Sequence, residues 1–251
     1  MLLLFFIGGV LAGIIAGLLG VGGGIIIVPM LVFFGKLPVN AVATSSLAIV
    51  ITSISGSFQN WREGNLNFKK VISLGLPAVA TAQLGVYLAS HFSPLLLLSL
   101  FAILLFVNVY LVSLKRRLVT MEKISVNEDR IFLNTILTGG AAGILSGLFG
   151  VGGGVIMVPL QMLLLGEKIK VAIQTSLGVI ILTAISASIG HAVAGNILLT
   201  EGLLIGFGGL VGAQFGTRFL PRLSDRVVTI GFLSFIFIIA LSIVYQAAKY
   251  L

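Results

Sequence analysis

Residues 13–29 read GIIAGLLGVGGGIIIVP, and residues 143–159 read GILSGLFGVGGGVIMVP. The common centre, Gly20-Val21-Gly22-Gly23-Gly24 and Gly150-Val151-Gly152-Gly153-Gly154, lies in apolar sequence both times, with a proline following at Pro29 and Pro159. Glycine weakens a helix interior, and three in succession predict that it opens. In a bilayer, opened backbone survives only where protein or a water-filled cavity satisfies its N–H and C=O groups. Interrupted segments at corresponding points of two halves point to a transporter's binding site.

Working outward, the 251 residues are 58% hydrophobic and 9% charged, against roughly 25% charged in a soluble domain. The class is therefore a polytopic all-α membrane protein. The net charge of +8 does not point to nucleic acid, because the basic residues fall in short loops between apolar runs, where they act as topology signals. There is no cysteine, which removes disulfides, thiolate metal sites and Cys nucleophiles. Met1–Leu19 has the apolarity of a signal peptide but no basic leader, and it matches a segment in mid-chain, so it is read as mature structure.

Apolar runs fall at 2–19, 25–35, 39–59, 71–90 and 94–114, then at 131–149, 155–166, 171–193, 202–217 and 226–248. Runs 25–35 and 155–166 are too short for a straight crossing, which needs about 20 residues. The expected domains are a first transmembrane repeat (1–114), a polar cytoplasmic linker (115–130) and a second repeat (131–251). Between Gly9–Pro29 and Gly139–Pro159, 14 of 21 positions are identical. Further on, Ser57 matches Ser188, Asn60 matches His191, Gly64-Asn65 matches Gly195-Asn196, and Ala82-Gln83 matches Ala213-Gln214. Matched polar positions indicate duplication where apolar similarity would not.

Lysine and arginine set orientation. If each half crosses an even number of times, nine basic residues fall inside and six outside. If each crosses an odd number, the inside loops collect 13, among them Lys70, Lys168, Arg218 and Arg222, leaving Lys36 and Lys249 outside. The second count predicts inverted repeats, expected as a glycine-broken short helix pair plus three full transmembrane helices in each; oddness requires the pair to make either two crossings or none, as a re-entrant hairpin, and the sequence does not choose between five and three crossings per half.

Candidate site residues come in three groups. Gly22, Gly23, Gly24 and Gly152, Gly153, Gly154 would present bare N–H groups and a helix N-terminus to an anion; Pro29 and Pro159 have a structural role. The alternative for Gly13, Gly17, Gly143 and Gly147 is close helix packing. Thr44, Ser45, Ser46 and Gln174, Thr175, Ser176 begin the third segment of each half, as neutral donors or as ordinary helix caps. Asn60, His191, Gln83 and Gln214 are polar groups in apolar spans, as cavity residues or interhelical hydrogen bonds. His191 could carry a proton; its counterpart Asn60 does not titrate. All seven carboxylates (Glu63, Glu122, Glu128, Asp129, Glu167, Glu201 and Asp225) lie in loops or at span ends. That argues against a divalent-metal pathway, a metal site and hydrolase chemistry, and no cofactor is expected.

The pattern GxxxGxxGVGGGxxxVP at Gly13–Pro29 and Gly143–Pro159, with Ser45-Ser46-Leu47, Thr175-Ser176-Leu177 and the two Gly-Asn pairs, resembles the sulfite exporter TauE/SafE family, also called the 4-toluene sulfonate uptake permease family. The resemblance implies a secondary transporter in the inner membrane for sulfite, sulfoacetate or other organosulfonates; with the two glycine breaks converging near the membrane midplane, alternating access is the expected mechanism. The expected partners are a small anion, the lipid bilayer and a proton as coupling ion; a homodimer stays open. A passive anion channel and a non-transporting scaffold are the alternative readings.

Overall fold

The computed structural model describes residues 2–119 and 130–250, and the secondary structure of these residues is all-helical. Ten α-helices follow in order: α1 (Leu2–Leu19), α2 (Gly24–Phe33), α3 (Pro38–Arg62), α4 (Phe68–His91), α5 (Pro94–Val119), α6 (Ile131–Phe149), α7 (Gly154–Leu164), α8 (Ile169–Val193), α9 (Leu199–Phe219) and α10 (Asp225–Ala247). Eight are long and apolar enough to cross a membrane, and α2 and α7 are short apolar helices. Each of the ten apolar runs became one helix. One expectation needs correction: the broken pair is not two short helices. α1 and α6, with 18 and 19 residues, extend about 27 Å at 1.5 Å per residue. Their interior glycines do not break them, because those positions carry tertiary contacts in place of side chains. The helix α5 continues past residue 114 to Val119; most of the expected linker lies outside the described residues.

Helix starts follow local chemistry. Pro38 and Pro94 occupy first turns, where a missing N–H costs nothing. The Asn67 side chain caps α4 by accepting from the Lys70 N–H, and Ser224 caps α10 by accepting from the Val227 N–H.

Packing is organised around two glycine-lined contacts. Gly9, Gly13 and Gly17 of α1 lie against Ile205, Gly209, Ala213 and Thr217 of α9, so close that an added β-carbon would strike backbone. In the same way Gly139, Gly143 and Gly147 of α6 lie against the carbonyls of Leu74, Ala78 and Ala82 on α4. Without a hydrophobic driving force between helices in lipid, this closeness of approach supplies the van der Waals contact. Both contacts join the N-terminal half of the chain to the C-terminal half. The central helices α3 and α8 are the most enclosed, while α10 is the most exposed of the long helices and packs on α5, with Phe106 against Phe237.

The two ends of the bundle differ in charge. At one end Lys70 pairs with Glu167, and Lys170 reaches Asp225 at 3.6 Å and the Pro221 carbonyl at 3.2 Å. Arg62, Lys69, Lys168, Arg218 and Arg222 belong to the same end by chain position. At the other, Lys36 pairs with Glu201 at 2.7 Å, and Asn40 donates to the Asn196 carbonyl at 2.8 Å. The two ion pairs use matched positions of the two halves with the charges exchanged. Glu122, Glu128 and Asp129 lie outside the described residues.

Glycine spacing alone does not say which glycines bear contacts. A β-carbon at Gly140 would meet only Thr81 Cγ2 at 3.8 Å, whereas one at Gly143 would meet the Ala78 carbonyl. Gly143→Val should therefore part α4 from α6 and lower the thermal midpoint in detergent by several degrees. Gly140→Ala should leave it unchanged or raise it, since alanine is favoured over glycine in a helix by about 1 kcal/mol. Equal midpoints for the two variants would refute the packing assignment.

Candidate functional site

The two glycine loops meet inside the bundle. Gly20, Gly22 and Gly23 have φ of 68°, 74° and 82°, and Gly150, Gly152 and Gly153 have 60°, 74° and 76°. These left-handed values cost an L-residue roughly 1–2 kcal/mol each, which is why the loops are glycine. The turn reverses the chain: α2 runs back along α1, with Gly23 against Ala12 and the Phe5 and Phe34 rings 5.4 Å apart. Gly153 packs on Ala142 in the corresponding way. Pro29 and Pro159 lie beyond the turn, inside α2 and α7. Gln246 of α10 donates to the Pro29 carbonyl at 3.2 Å.

The N-terminus of each short helix faces the other loop. A β-carbon at Gly24 would strike the Gly150 carbonyl, and one at Gly154 would strike the Gly20 carbonyl. Ser45 Oγ of α3 donates to Gly150 O at 2.6 Å, and Ser176 Oγ of α8 donates to Gly20 O at 2.8 Å. Thr183 Oγ1 donates to Gly152 O at 3.1 Å. The hydroxyls thus satisfy loop carbonyls. What remains are the N–H groups of Val21, Gly22, Gly23, Val151, Gly152 and Gly153, which are buried and make no hydrogen bond among the described residues. At about 1–3 kcal/mol per unmet donor, their combined demand for acceptors is comparable to the stability of a whole domain. Ile49 and Ile180 close over the pair, within 3.3 Å of where a Gly22 β-carbon would stand.

The other candidates do not gather at this point. Ser46 bonds back to the Val42 carbonyl at 3.1 Å, while Thr44 accepts from the Leu198 N–H at 3.0 Å, toward the less basic end. Gln174 and Thr175 are buried on α8 just before Ser176. Gln83 donates to Ser186 O and Oγ at 2.6 and 2.9 Å, and Gln214 to Ser55 O and Oγ at 3.1 and 3.0 Å. These ties join α4 to α8 and α9 to α3. Asn60 and His191 sit near the C-terminal ends of α3 and α8, far apart because those helices run antiparallel. Asn60 is fully buried and neither atom of its amide has a partner. His191 Nε2 lies 3.0 Å from the Gly147 carbonyl, so Nε2 carries the proton and Nδ1 is left as a buried acceptor without a partner.

Sequence reasoning matched Ser57 with Ser188 but did not place them in a site. Both hydroxyls are buried and unpartnered, one helical turn before Asn60 and His191 respectively. Ser188 lines a cavity of about 380 Å³ with Leu47, Ile197 and Leu199. Their repeat at matched positions was the available signal. Among the described residues no cluster of His, Cys, Asp or Glu has the makings of a metal site.

The comparisons bear on the same residues. The family model for the sulfite exporter TauE/SafE matches residues 5–243, which includes both glycine loops. The chain is 32% identical over 219 residues to the "probable membrane transporter protein YdhB" of Bacillus subtilis, covering 84% of this chain and 89% of that one. It is 33% identical over 213 residues to a "probable membrane transporter protein" of Methanocaldococcus jannaschii, covering 82% and 76%. A third relative, "probable membrane transporter protein YunE" of B. subtilis, is 25% identical over 95% of both chains. No solved structure matches. With eight helices among the described residues able to cross a bilayer, two buried glycine loops packed against each other and a family match over nearly its full length, the chain belongs to the sulfite exporter TauE/SafE family of multi-pass membrane transporters.

Proposed function

We propose that the protein is a secondary transporter of small sulfur-containing anions, such as sulfite, sulfoacetate or other organosulfonates, across the inner membrane by alternating access. One observation carries this reading: two helix N-termini, and six backbone N–H groups that make no hydrogen bond among the described residues, lie where Gly20–Gly24 meets Gly150–Gly154. Such groups favour an oxyanion, with no cationic side chain needed. Ser57 and Asn60 on one path, and Ser188 and His191 on the other, are polar groups that an anion could meet on the way to either face. The family and its relatives support transport; the anion is our own assignment.

The halves act as inverted repeats in this reading. The reciprocal bonds of Ser45 and Ser176, the matched Gln83–Ser186 and Gln214–Ser55 ties, and the exchanged charges of the two ion pairs support it. The basic end faces the cytoplasm. Because the chain has no cysteine, single cysteines report topology cleanly. Ala194→Cys should react with a membrane-impermeant maleimide in intact cells, and Asn65→Cys only after permeabilisation. Labelling of both from outside would end the antiparallel arrangement.

At the loops, Gly23→Ala and Gly153→Ala each put a side chain at positive φ beside Ala12 or Ala142. Sulfite or sulfonate flux in proteoliposomes should fall at least tenfold in each variant, with monodisperse protein still recovered. Undiminished flux in both would remove the loops from the site. For the proton, His191→Gln keeps an N–H for the Gly147 carbonyl but cannot titrate. Wild-type flux should rise with an imposed pH gradient and the variant's should not. A variant as gradient-sensitive as the wild type would exclude His191 as the carrier.

A further inference from the structure

Toward the basic end, α4 and α6 part. They touch where Gly139 packs on the Leu74 carbonyl and Pro77. Between there and their N-termini, they form opposite walls of a cavity of about 1410 Å³. Ile72 and Leu76 line one wall, Phe132 and Ile136 the other, and Gln161 of α7 is also part of the lining. These four apolar side chains are 54%, 67%, 77% and 39% exposed, on helices long and apolar enough to cross the membrane. The groove therefore opens sideways onto the acyl region of a bilayer. Its volume exceeds the 300–1,000 Å³ usual for a small-molecule pocket.

The mouth has a different chemistry. Asn67, Lys69, Lys70 and Ser73 line the groove at the start of α4, with Thr135 across from them on α6. Glu167 also reaches this rim and is paired with Lys70. Lys69 is exposed and has no ion pair among the described residues, so the rim presents a positive charge beside the Asn67 side-chain amide, while the Ser73 and Thr135 hydroxyls donate to the Lys70 and Ile131 carbonyls of their own helices. At the floor, Gln161 is fully buried. It donates to the Ala172 carbonyl at 3.3 Å, and its Oε1 has no partner.

The feature is confined to one half. The positions that match Lys69 and Lys70 in the second half are Thr200 and Glu201, and Glu201 is bound to Lys36. The repeat has therefore been kept for packing while the charge has diverged. An apolar slot open to lipid, with an ammonium and an amide donor at headgroup level, is complementary to an amphiphile with an anionic head. A free inorganic anion would have no use for the apolar walls.

We propose that the groove between α4 and α6 is a specific site for an anionic phospholipid, whose phosphate is held at Lys69 and Asn67 and one of whose acyl chains lies along Ile72, Leu76 and Ile136. The walls are separate from residues 20–24 and 150–154, so lipid retention is independent of the transport reading and is measured without flux.

The test uses the full chain, exchanged into nanodiscs of mixed phosphatidylglycerol and phosphatidylcholine with identical acyl chains, then released for native mass spectrometry. The wild type should keep phosphatidylglycerol in preference to phosphatidylcholine. Lys69→Gln should lower that preference about fivefold, the worth of one lysine near a membrane surface. Ile136→Trp, which fills the slot from a lipid-exposed position and leaves the charge in place, should lower retention of phosphatidylglycerol without unfolding the protein. Equal retention of the two lipids by the wild type would overturn the proposal, as would undiminished phosphatidylglycerol retention in either variant. Millimolar inorganic phosphate should not displace the lipid. If it does, and Ile136→Trp has no effect, the rim binds a free anion and the lipid site is refuted.

Discussion

A buried amide N–H without an acceptor is expensive anywhere and most of all inside a bilayer. The two glycine loops are built around that cost. Positive φ at Gly20, Gly22 and Gly23, and at Gly150, Gly152 and Gly153, turns the chain back within the membrane span. The turn frees carbonyls as well as N–H groups. Ser45, Ser176 and Thr183 take up the carbonyls. Neutral hydroxyls do this without adding a negative charge beside the N–H groups that remain. In the proposed reading a carboxylate in the same place would repel the anion. The selectivity we assign to the site thus begins as a backbone problem and is resolved by residue size at the loops and hydroxyls on α3 and α8.

The same small residues decide which parts of the molecule can move together. Along α1–α9 and α6–α4 there is no room for a β-carbon at the contacts, so each pair behaves as one body. Both pairs cross between the halves of the chain. Rocking residues 2–119 against 130–250 would have to separate both contacts at once. Motion of the α1–α9 and α4–α6 pairs about the central α3 and α8 leaves those two contacts intact, though it slides Gly202, Gly206 and Gly209 of α9 along Leu47, Ile51 and Thr52 of α3. The bonds that such motion would strain include the Gln83–Ser186 and Gln214–Ser55 ties and the bonds beside them from Ser186 Oγ to the Val79 carbonyl and from Ser55 Oγ to the Leu210 carbonyl.

Much of this was legible in the sequence, and for definable reasons. Helix boundaries were readable because apolar runs are interrupted by proline, glycine and charge, as at Pro38, Pro94 and Gly195-Asn196. The loops were readable because glycine alone adopts their dihedrals without steric cost. The length of α1 was misjudged as part of a short pair because glycine in a helix is ambiguous: Gly13 fills a contact and Gly23 makes a turn, and composition does not tell them apart. The hydroxyls of Thr44, Ser45 and Ser46 were recognised as a cluster, but their three directions depend on which helices pass beside α3. Ser57 and Ser188 were visible as a repeat and invisible as unpartnered groups, since pairing is a property of three-dimensional neighbours. The groove between α4 and α6 had no sequence signature, because a cavity is set by how far two helices diverge.

The crossing of the glycine pairs between halves also has a bearing on how the protein is made. Helix α1 leaves the ribosome with its glycine face bare, and α9, which covers that face, begins about 180 residues later; at roughly 5–20 residues per second the delay is about 10 to 40 s. During that time α1 is a weakly held span with exposed backbone on one side, a natural substrate for an insertase or chaperone. The second pair assembles sooner, since α6 follows α4 by only one intervening helix. Biogenesis should therefore run from the middle of the chain outward, with the N-terminal helix waiting until α9 arrives.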